Sequence, residues 1–199
     1  MSKKHLAEPT QASQEFLSIL SSKLCLLEHK LELGVTSMNC AYDSEDPHLK
    51  KIKKRYSEFL KRLSNIEGIT DSVIIHAFIL SKKVSKILQE SFIVKQGEFF
   101  EIFLICCFLS IKYVVDVFKW FLSDFAMVSK LNEKKIQRME IFVLHNLLRY
   151  KLCTSESEYL SAYSKIYQSV DKKKETKCVT KYRSYQDQSS NQLKARRLQ

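Results

Sequence analysis

The chain has 199 residues, with a hydrophobic fraction of 45% and a charged fraction of 28%, a balance typical of one globular domain with tails. It contains only three glycines and two prolines, the residues that usually punctuate strands and turns, so its composition favours an all-α fold over a β-rich one. The net charge of +11 is compatible with nucleic acid, an acidic protein partner or a membrane surface.

A polar N-terminal segment, residues 1–14, is predicted to be disordered. From Phe16 onward, apolar residues recur at helical spacing over about 18 residues, which predicts an accessory amphipathic helix that ends near Gly34. A polar connection with a turn before Pro47 completes this region, which spans residues 15–47.

Five helical segments and one further short helix are predicted after Pro47, in a domain that spans residues 48–168. The third segment has ten consecutive, nearly all apolar residues between Glu101 and Lys112. A helix that is apolar all round is buried on all sides, and a run of this length is too short for a membrane span, which needs about 20 residues. We therefore expect a five-helix bundle around a central third helix. The predicted segments are 49–64, 71–88, 98–116, 120–130 and 133–149, with the short helix at 155–168.

The C-terminal segment, residues 169–199, is strongly basic. From Asp171 onward it has nine Lys or Arg residues and three acidic residues, which predicts a solvated, disordered tail. The alternative interpretation is a nuclear-import or phosphate-contacting segment, although its longest basic run, residues 172–174, is short for that role.

Residue types that carry chemistry do not occur here in the spacing that chemistry requires. The six cysteines include no C-x-x-C pair and no His-x-x-x-His pair exists, so we predict no metal site. There is no glycine-rich phosphate loop and no G-x-S-x-G motif, and His76 and His145 are interpreted as packed or surface residues. We therefore predict a non-enzyme without a cofactor. Since no signal peptide opens the chain, the expected setting is intracellular, nuclear or cytoplasmic.

Two charged residues interrupt apolar helix faces. Glu140 lies between Ile136 and Leu144 on one face of the fifth segment, and Lys112 ends the apolar run of the third. Because an unpaired buried charge costs several kcal/mol, each residue must reach solvent, pair with the other, or face a partner protein. The plainer interpretation is that Lys112 extends to solvent and Glu140 lies at the edge of its apolar stripe.

An ordered set of segments in this chain resembles the cyclin box, and in particular the single-box cyclins of the yeast phosphate-signalling type and the plant U-type. A later segment, Glu-Tyr-Leu-Ser-Ala-Tyr (158–163), resembles the sequence that follows the box in that family. The box segments are Phe-Leu-Lys-Arg-Leu (59–63), Ala-Phe-Ile-Leu-Ser-Lys-Lys-Val (77–84), Leu-Ser-Ile-Lys-Tyr-Val-Val-Asp (109–116), Asp-Phe-Ala-Met-Val-Ser (124–129) and Arg-Met-Glu (138–140).

The resemblance implies a cyclin-like regulatory subunit that binds and activates a cyclin-dependent serine/threonine protein kinase by packing on its C-helix. Lys112 and Glu140 match the lysine and the glutamate with which the family contacts the kinase. Arg62 and Asp116 match positions with structural roles, Arg62 being the arginine of an Arg–Asp pair. The implied partner is the kinase catalytic subunit, and nucleic acid, a membrane and a small-molecule cofactor are not expected.

The chain departs from the family pattern at three places. Lys82 occupies the position of the acid in the Arg–Asp pair, Ser129 and Lys130 replace a glycine pair, and the spacing from Glu140 to Tyr150 is one residue longer. Two alternatives therefore stay open. One is a nucleic-acid-binding cyclin fold like that of transcription factors, which the basic charge favours; the other is a cyclin-fold scaffold that does not activate a kinase.

Overall fold

The computed structural model of the chain describes residues 14–34, 46–66, 69–91, 97–115 and 122–168. Helices are the only regular structure in these residues, and no strand occurs among them, which confirms the all-α prediction. The predicted disordered segments, 1–14 and 169–199, lie outside the described residues except for Gln14. The helices are α1 (Gln14–Leu33), α2 (Pro47–Ser64), α3 (Asp71–Ser91), α4 (Glu98–Val114), α5 (Leu122–Ser129), α6 (Glu133–Phe142) and α7 (residues 156–168), with a π-helical turn (Val143–Leu147) after α6.

The ends of several helices are set by local sequence. Asp46 accepts a hydrogen bond from the main-chain N–H of His48 at 2.8 Å, so it caps α2 just before Pro47. Asn132 accepts one from the N–H of Lys134 at 2.9 Å, so it caps α6. Because these caps satisfy otherwise unpaired amides, both helices begin where the sequence places them.

Helix α4 lies at the centre of the core. Every side chain from 102 to 111 is buried, and α4 packs against α1, α3, α6 and the π-turn. Aromatic rings of α2 complete this enclosure, since Tyr56 and Phe59 meet Phe103 edge-on at centroid distances of 5.4 and 6.1 Å. The prediction of a central apolar third segment therefore agrees with the packing.

The two adjacent cysteines of α4 are core residues. Cys106 and Cys107 are fully buried, and this burial raises the pKa of both thiols well above the usual range. They are therefore held as neutral, small apolar groups. None of the helices in the described part of the chain combines the length and the apolar character that crossing a membrane requires.

Helix α1 belongs to the same core, although its sequence was interpreted as an accessory element. Phe16, Leu20 and Leu24 are fully buried, and α1 packs against α2, α3 and α4. The Phe16 ring also lies 5.7 Å from the Tyr167 ring of α7. The first and last described helices therefore close over one side of the domain.

A buried ion pair joins α1 to α2. The Glu28 side chain is 1% exposed, and its Oε1 accepts a hydrogen bond from Arg55 Nη2 at 2.5 Å. The Arg55 guanidinium also lies over the Phe100 ring, 4.5 Å from the centroid, and so links both helices to α4. Because an uncompensated buried charge is costly, Arg55 is what allows a carboxylate to remain on the buried face of α1.

We expect Arg55→Met to lower the free energy of unfolding by about 3 to 5 kcal/mol, because it leaves Glu28 as an unpaired buried charge. Glu28→Gln should cost less, since Arg55 is 36% exposed and reaches water. The double variant Glu28→Gln/Arg55→Met should recover part of the loss. Urea unfolding of the four proteins measures these differences, and simple additivity of the two single costs would contradict the proposed coupling.

Candidate functional site

Lys112 and Glu140 meet at the edge of the core. Lys112 lies in the last turn of α4 and is 44% exposed, and its Nζ is 2.5 Å from Oε1 of Glu140, which is 17% exposed on α6. The same Nζ lies 5.2 Å from the centroid of the Phe108 ring, one turn earlier in α4. The two charges that interrupt apolar faces therefore pair with each other, which is one of the three outcomes that the sequence left open.

A second ion pair joins the same two helices. Lys135, near the start of α6, pairs with Glu101 of α4. Glu101 and Lys112 are the charged residues at the two ends of the apolar run of α4, so each end of that run is tied to α6 by an opposite charge. The two ion pairs hold α6 against α4 and thereby set the position of Glu140 relative to Lys112.

Large apolar side chains flank the Lys112–Glu140 pair and point into solvent. Tyr113 follows Lys112 and is 47% exposed, and Ile141 and Phe142 follow Glu140 and are 69% and 42% exposed. Exposed aromatic and aliphatic side chains beside a partly desolvated ion pair are typical of a protein-binding surface. We call these five residues the α4–α6 edge.

His76 packs against the α4–α6 edge through Tyr113. It is buried in α3, where its Nε2 lies 3.0 Å from the Leu152 carbonyl oxygen and its Nδ1 lies 2.8 Å from Ser110 Oγ. Since a carbonyl only accepts, Nε2 carries the proton and donates it, and Ser110 donates to Nδ1. The imidazole stacks on the Tyr113 ring at 5.3 Å, and the Tyr113 hydroxyl donates to Cys153 Sγ at 3.1 Å. His76 is thus a packed residue, as the sequence suggested.

Arg62 and Lys82, two other positions that the cyclin resemblance marked, contact different parts of the domain. Arg62 of α2 donates from Nε to the Val128 carbonyl oxygen at 3.2 Å, so it binds the last turn of α5. Lys82 of α3 lies over the Phe78 ring at 5.9 Å and forms no pair with Arg62. Asp116 lies outside the described residues. Lys82 occupies the place of the acid in the family's Arg–Asp pair, and Arg62 instead caps a neighbouring helix.

The turn between α5 and α6 has a left-handed residue. Lys130 adopts φ 61°, a conformation that costs a residue with a Cβ about 1 to 2 kcal/mol relative to its usual regions. The Leu131 N–H donates to Ser129 Oγ at 3.3 Å across this turn. Lys130 is one of the two residues that replace the family's glycine pair, and its backbone has the conformation for which glycine is suited.

The end of α6 is not α-helical, which the periodicity did not predict. The Leu148 N–H donates to the Val143 carbonyl oxygen at 2.8 Å, five residues back, as in a π-helix. Arg149 and Tyr150 then follow with φ 47° and 60°. A π-helical turn contains about one residue more than an α-helical turn. The extra residue is accommodated in this turn, and Leu147 and Leu148 remain buried.

A cluster of metal-binding residue types was missed by the sequence analysis. His29 and Glu32 of α1 and His48 of α2 place one donor atom each within 4.8 Å of one another. His48 Nε2 lies 2.9 Å from Glu32 Oε2. The only sequence signal was the His-x-x-Glu spacing in α1, and the contribution of α2 depends on how the two helices pack.

Comparisons of the chain with models of protein families, with curated proteins and with solved structures find no match. What the described residues establish is an all-α protein with an ion-paired, apolar edge between two helices. Membership of the cyclins stays a prediction from the sequence segments.

We expect the stability of the domain to depend on pH through His76. Burial lowers the pKa of His76, the nearby Lys83 lowers it further, and the hydrogen bond to Leu152 opposes this. Because the pKa is lower in the folded state than the ordinary value of about 6.5, the contribution to stability is complete above that pH and is lost as the pH falls through the lowered pKa.

The measurement is urea unfolding at about pH 7.5 and about pH 5.5. His76→Gln should show a smaller decrease in unfolding free energy between the two conditions than the wild type. His145→Gln, which changes an exposed histidine, is the control and should keep the wild-type decrease. An unchanged decrease in His76→Gln would show that another group controls the acid sensitivity.

Proposed function

We propose that this chain is a cyclin-like regulatory subunit that binds and activates a cyclin-dependent serine/threonine protein kinase by packing on its C-helix. The observation that carries the proposal is the α4–α6 edge, where Lys112 and Glu140 pair at 2.5 Å. These two residues match the kinase-contacting lysine and glutamate of the family. They lie on different helices and are separated by 28 positions in the sequence. Their proximity is what the family's mode of binding needs.

The order and packing of the helices support the proposal. Five helices, α2 to α6, follow one another with α4 buried among them, and α1 precedes them as in the phosphate-signalling cyclins. The segment that resembles the sequence after the box falls on α7. The arrangement thus agrees with the order of elements in a single cyclin box, and we propose that architecture for the chain.

Two departures from the family pattern have a structural counterpart that supports the proposal. The spacing from Glu140 to Tyr150 is one residue longer than in the family, and the π-turn at Val143–Leu147 is the structural form of a one-residue insertion in a helix. Lys130, which replaces a glycine, keeps the positive φ that a glycine would adopt. Both differences are therefore absorbed locally, and the edge that carries Glu140 is preserved.

The proposed mechanism is a shift of the kinase population. A protein kinase is active when the lysine of its third strand pairs with the glutamate of its C-helix. A rigid helical surface that binds the kinase more tightly when this lysine–glutamate pair is formed shifts the population towards the active state. The size of the shift is set by the difference between its affinities for the active and the inactive kinase. An interface of this kind buries about 800 Å² on each partner, and Tyr113, Ile141 and Phe142 supply exposed apolar anchors for it.

The ion pair is suited to exchange its partner. Lys112 is 44% exposed and Glu140 is 17% exposed, and ion pairs that are open to solvent contribute only about 0 to 1 kcal/mol to stability. Main-chain groups of a kinase would replace for both side chains the interaction that is broken on binding. In the free chain the pair holds the two side chains together, which lowers the entropy that is lost on binding.

We expect Lys112→Glu and Glu140→Lys each to weaken kinase binding by about tenfold or more, because each leaves an interface charge unpaired and like-charged with its neighbour. The double swap Lys112→Glu/Glu140→Lys restores the internal ion pair but presents the reversed charges to the kinase. It should remain as weak as the single variants while unfolding like the wild type.

The matched control is the swap Glu101→Lys/Lys135→Glu, which reverses the other ion pair between α4 and α6 and should keep kinase binding. Binding is measured by retention of protein kinases from native lysate, with kinase activity measured on the purified complex. Wild-type binding by the Lys112/Glu140 double swap would show that the pair is only structural.

The two alternatives give different results in the same assays. A nucleic-acid-binding domain would bind DNA with an affinity that falls steeply with salt and would retain no kinase. A non-activating scaffold would retain a kinase through the α4–α6 edge without raising its activity.

A further inference from the structure

A cavity of about 360 Å³ opens between α1, α3 and α7, and the residues of the α4–α6 edge are not among its described lining residues. Its lining includes apolar side chains, with Leu27 of α1 and Phe78 of α3 among them. Most of the polar side chains in the described lining are lysines, which come from three helices. These are Lys23, Lys30, Lys82, Lys83, Lys86 and Lys165.

The helical spacing explains why the lysines meet. Phe78, Lys82 and Lys86 follow one another at four-residue intervals and share one face of α3. Lys23 and Lys30 share a face of α1 in the same way, and Lys165 lies on the face of α7 that turns towards them. Periodicity alone places each lysine on a helix face, and only the packing of the three helices brings them together.

Positive charge predominates among the described residues that line this cavity. They include six lysines and one glutamate, and that glutamate, Glu158, is already bound to Lys83 at 3.1 Å. Among the described residues, no carboxylate lies within ion-pair distance of Lys23, Lys82 or Lys86. In the α4–α6 edge, by contrast, Lys112 has an acidic partner in Glu140.

This accumulation of charge is unfavourable in the unliganded protein. Burial lowers the pKa of Lys82, and the positive charges of Lys165, Lys86 and Lys23 lower it further. Burial and the charge of Lys165 also lower the pKa of Lys23. The lysines therefore repel one another in a partly desolvated space, and an anion between them would remove that cost.

We propose that this cavity binds a compact polyanion that carries two or more phosphate groups, either as a free small molecule or as a phospholipid headgroup. The volume of the cavity suits a small ligand. Lysine ammonium groups are common phosphate ligands, so the lysines would bind the phosphate groups while the apolar side chains contact the rest of the ligand. The lysines of three helices line one cavity instead of following a stripe along the surface, which favours a small polyanion over a nucleic acid strand. This inference does not depend on kinase binding.

The test uses myo-inositol hexakisphosphate as the soluble probe and calorimetry at near-physiological salt. Wild-type protein should bind with one-to-one stoichiometry, and Lys23→Ala/Lys82→Ala/Lys86→Ala should bind more than about tenfold more weakly. The variant should be at least as stable as the wild type without ligand, because repulsion is relieved. A variant that loses binding while its melting temperature is unchanged or higher has lost the site and not the fold.

The matched control removes the same number of charges elsewhere, in Lys61→Ala/Lys134→Ala/Lys151→Ala, and should bind like the wild type. Equal weakening of both variants would show general attraction to a basic protein and would overturn the proposal, as would no binding of any probe.

A parallel arm distinguishes the sources of the phosphate groups. Phosphatidylcholine vesicles are compared with the same vesicles containing phosphatidylinositol bisphosphate, and the wild type is compared with the Lys23/Lys82/Lys86 variant. Sedimentation with the second vesicles alone, lost in the variant, assigns the site to a lipid headgroup. Binding of the soluble probe without sedimentation assigns it to a free polyphosphate. Binding only to a synthetic acidic peptide would contradict the proposal and indicate a protein ligand.

A different observation carries a second inference, at the contact between α1 and the start of α2. His29 Nδ1 and Glu32 Oε1 are buried polar atoms without a hydrogen-bond partner among the described residues. An unpartnered buried nitrogen and oxygen are costly. His29 and Glu32 also form a group with His48, in which one donor atom of each residue lies within 4.8 Å of the others.

The geometry points to a zinc-type divalent cation site formed by His29, Glu32 and His48. Two imidazole nitrogens and one carboxylate oxygen are a ligand set that Zn²⁺ accepts, with the fourth position left for water. Ligand atoms of tetrahedral zinc lie roughly 3.3 Å apart, so small side-chain rotations close the present arrangement. The exposed fractions of Glu32 and His48, 12% and 34%, leave a path for the ion.

The test is titration with Co²⁺, whose visible absorption reports coordination, followed by competition with Zn²⁺. Cys40, Cys153 and Cys178 are replaced by serine in every protein so that thiols do not contribute. One equivalent should bind and raise the melting temperature, and Glu32→Gln or His48→Gln should weaken binding by more than about tenfold. His145→Gln is the control. The assignment would be wrong if Glu32→Gln and His48→Gln left Co²⁺ binding unchanged. It would also be wrong if the protein that carries only the three cysteine replacements bound no Co²⁺.

Discussion

The burial of α4 on every side is the constraint on which the rest of the structure depends. Every side chain from 102 to 111 is buried, so α1, α2, α3, α6 and the π-turn must all supply apolar surface to it. The first residues that reach solvent at either end of the run are Glu101 and Lys112, and α6 meets each with an opposite charge. The edge that we propose as a kinase-binding surface is therefore formed where the core ends.

Much of the fold could be predicted from the sequence because helical periodicity and caps are local signals. The apolar run of α4, the cap at Asn132 and the packed state of His76 follow from neighbouring residues. The buried Glu28 could not be foreseen, since its partner Arg55 lies on another helix. The π-turn was missed because the apolar pattern of α6 continues through it.

The candidate sites also contain some features that the sequence reveals and others that depend on how the helices pack. Lys112 and Glu140 could be found because a charge on an apolar helix face is a local anomaly, although their pairing is a tertiary fact. Lys82 was recognised only as a residue that cannot complete an ion pair with Arg62, and its place among the lysines of three helices depends on packing. The three donors of the proposed cation site are likewise brought together by the contact of α1 with α2.

The hydrogen bond between Tyr113 and Cys153 has a practical consequence. Of the cysteines in the described residues, Cys25, Cys106 and Cys107 are buried and Cys153 alone is exposed. Alkylating reagents attack accessible thiolates, so a fluorophore would attach to Cys153 in preference to the three core thiols. Its sulfur is 3.1 Å from a side chain of the α4–α6 edge. The domain thus carries, next to that edge, a built-in attachment point at which the arrival of a partner would change the label's emission.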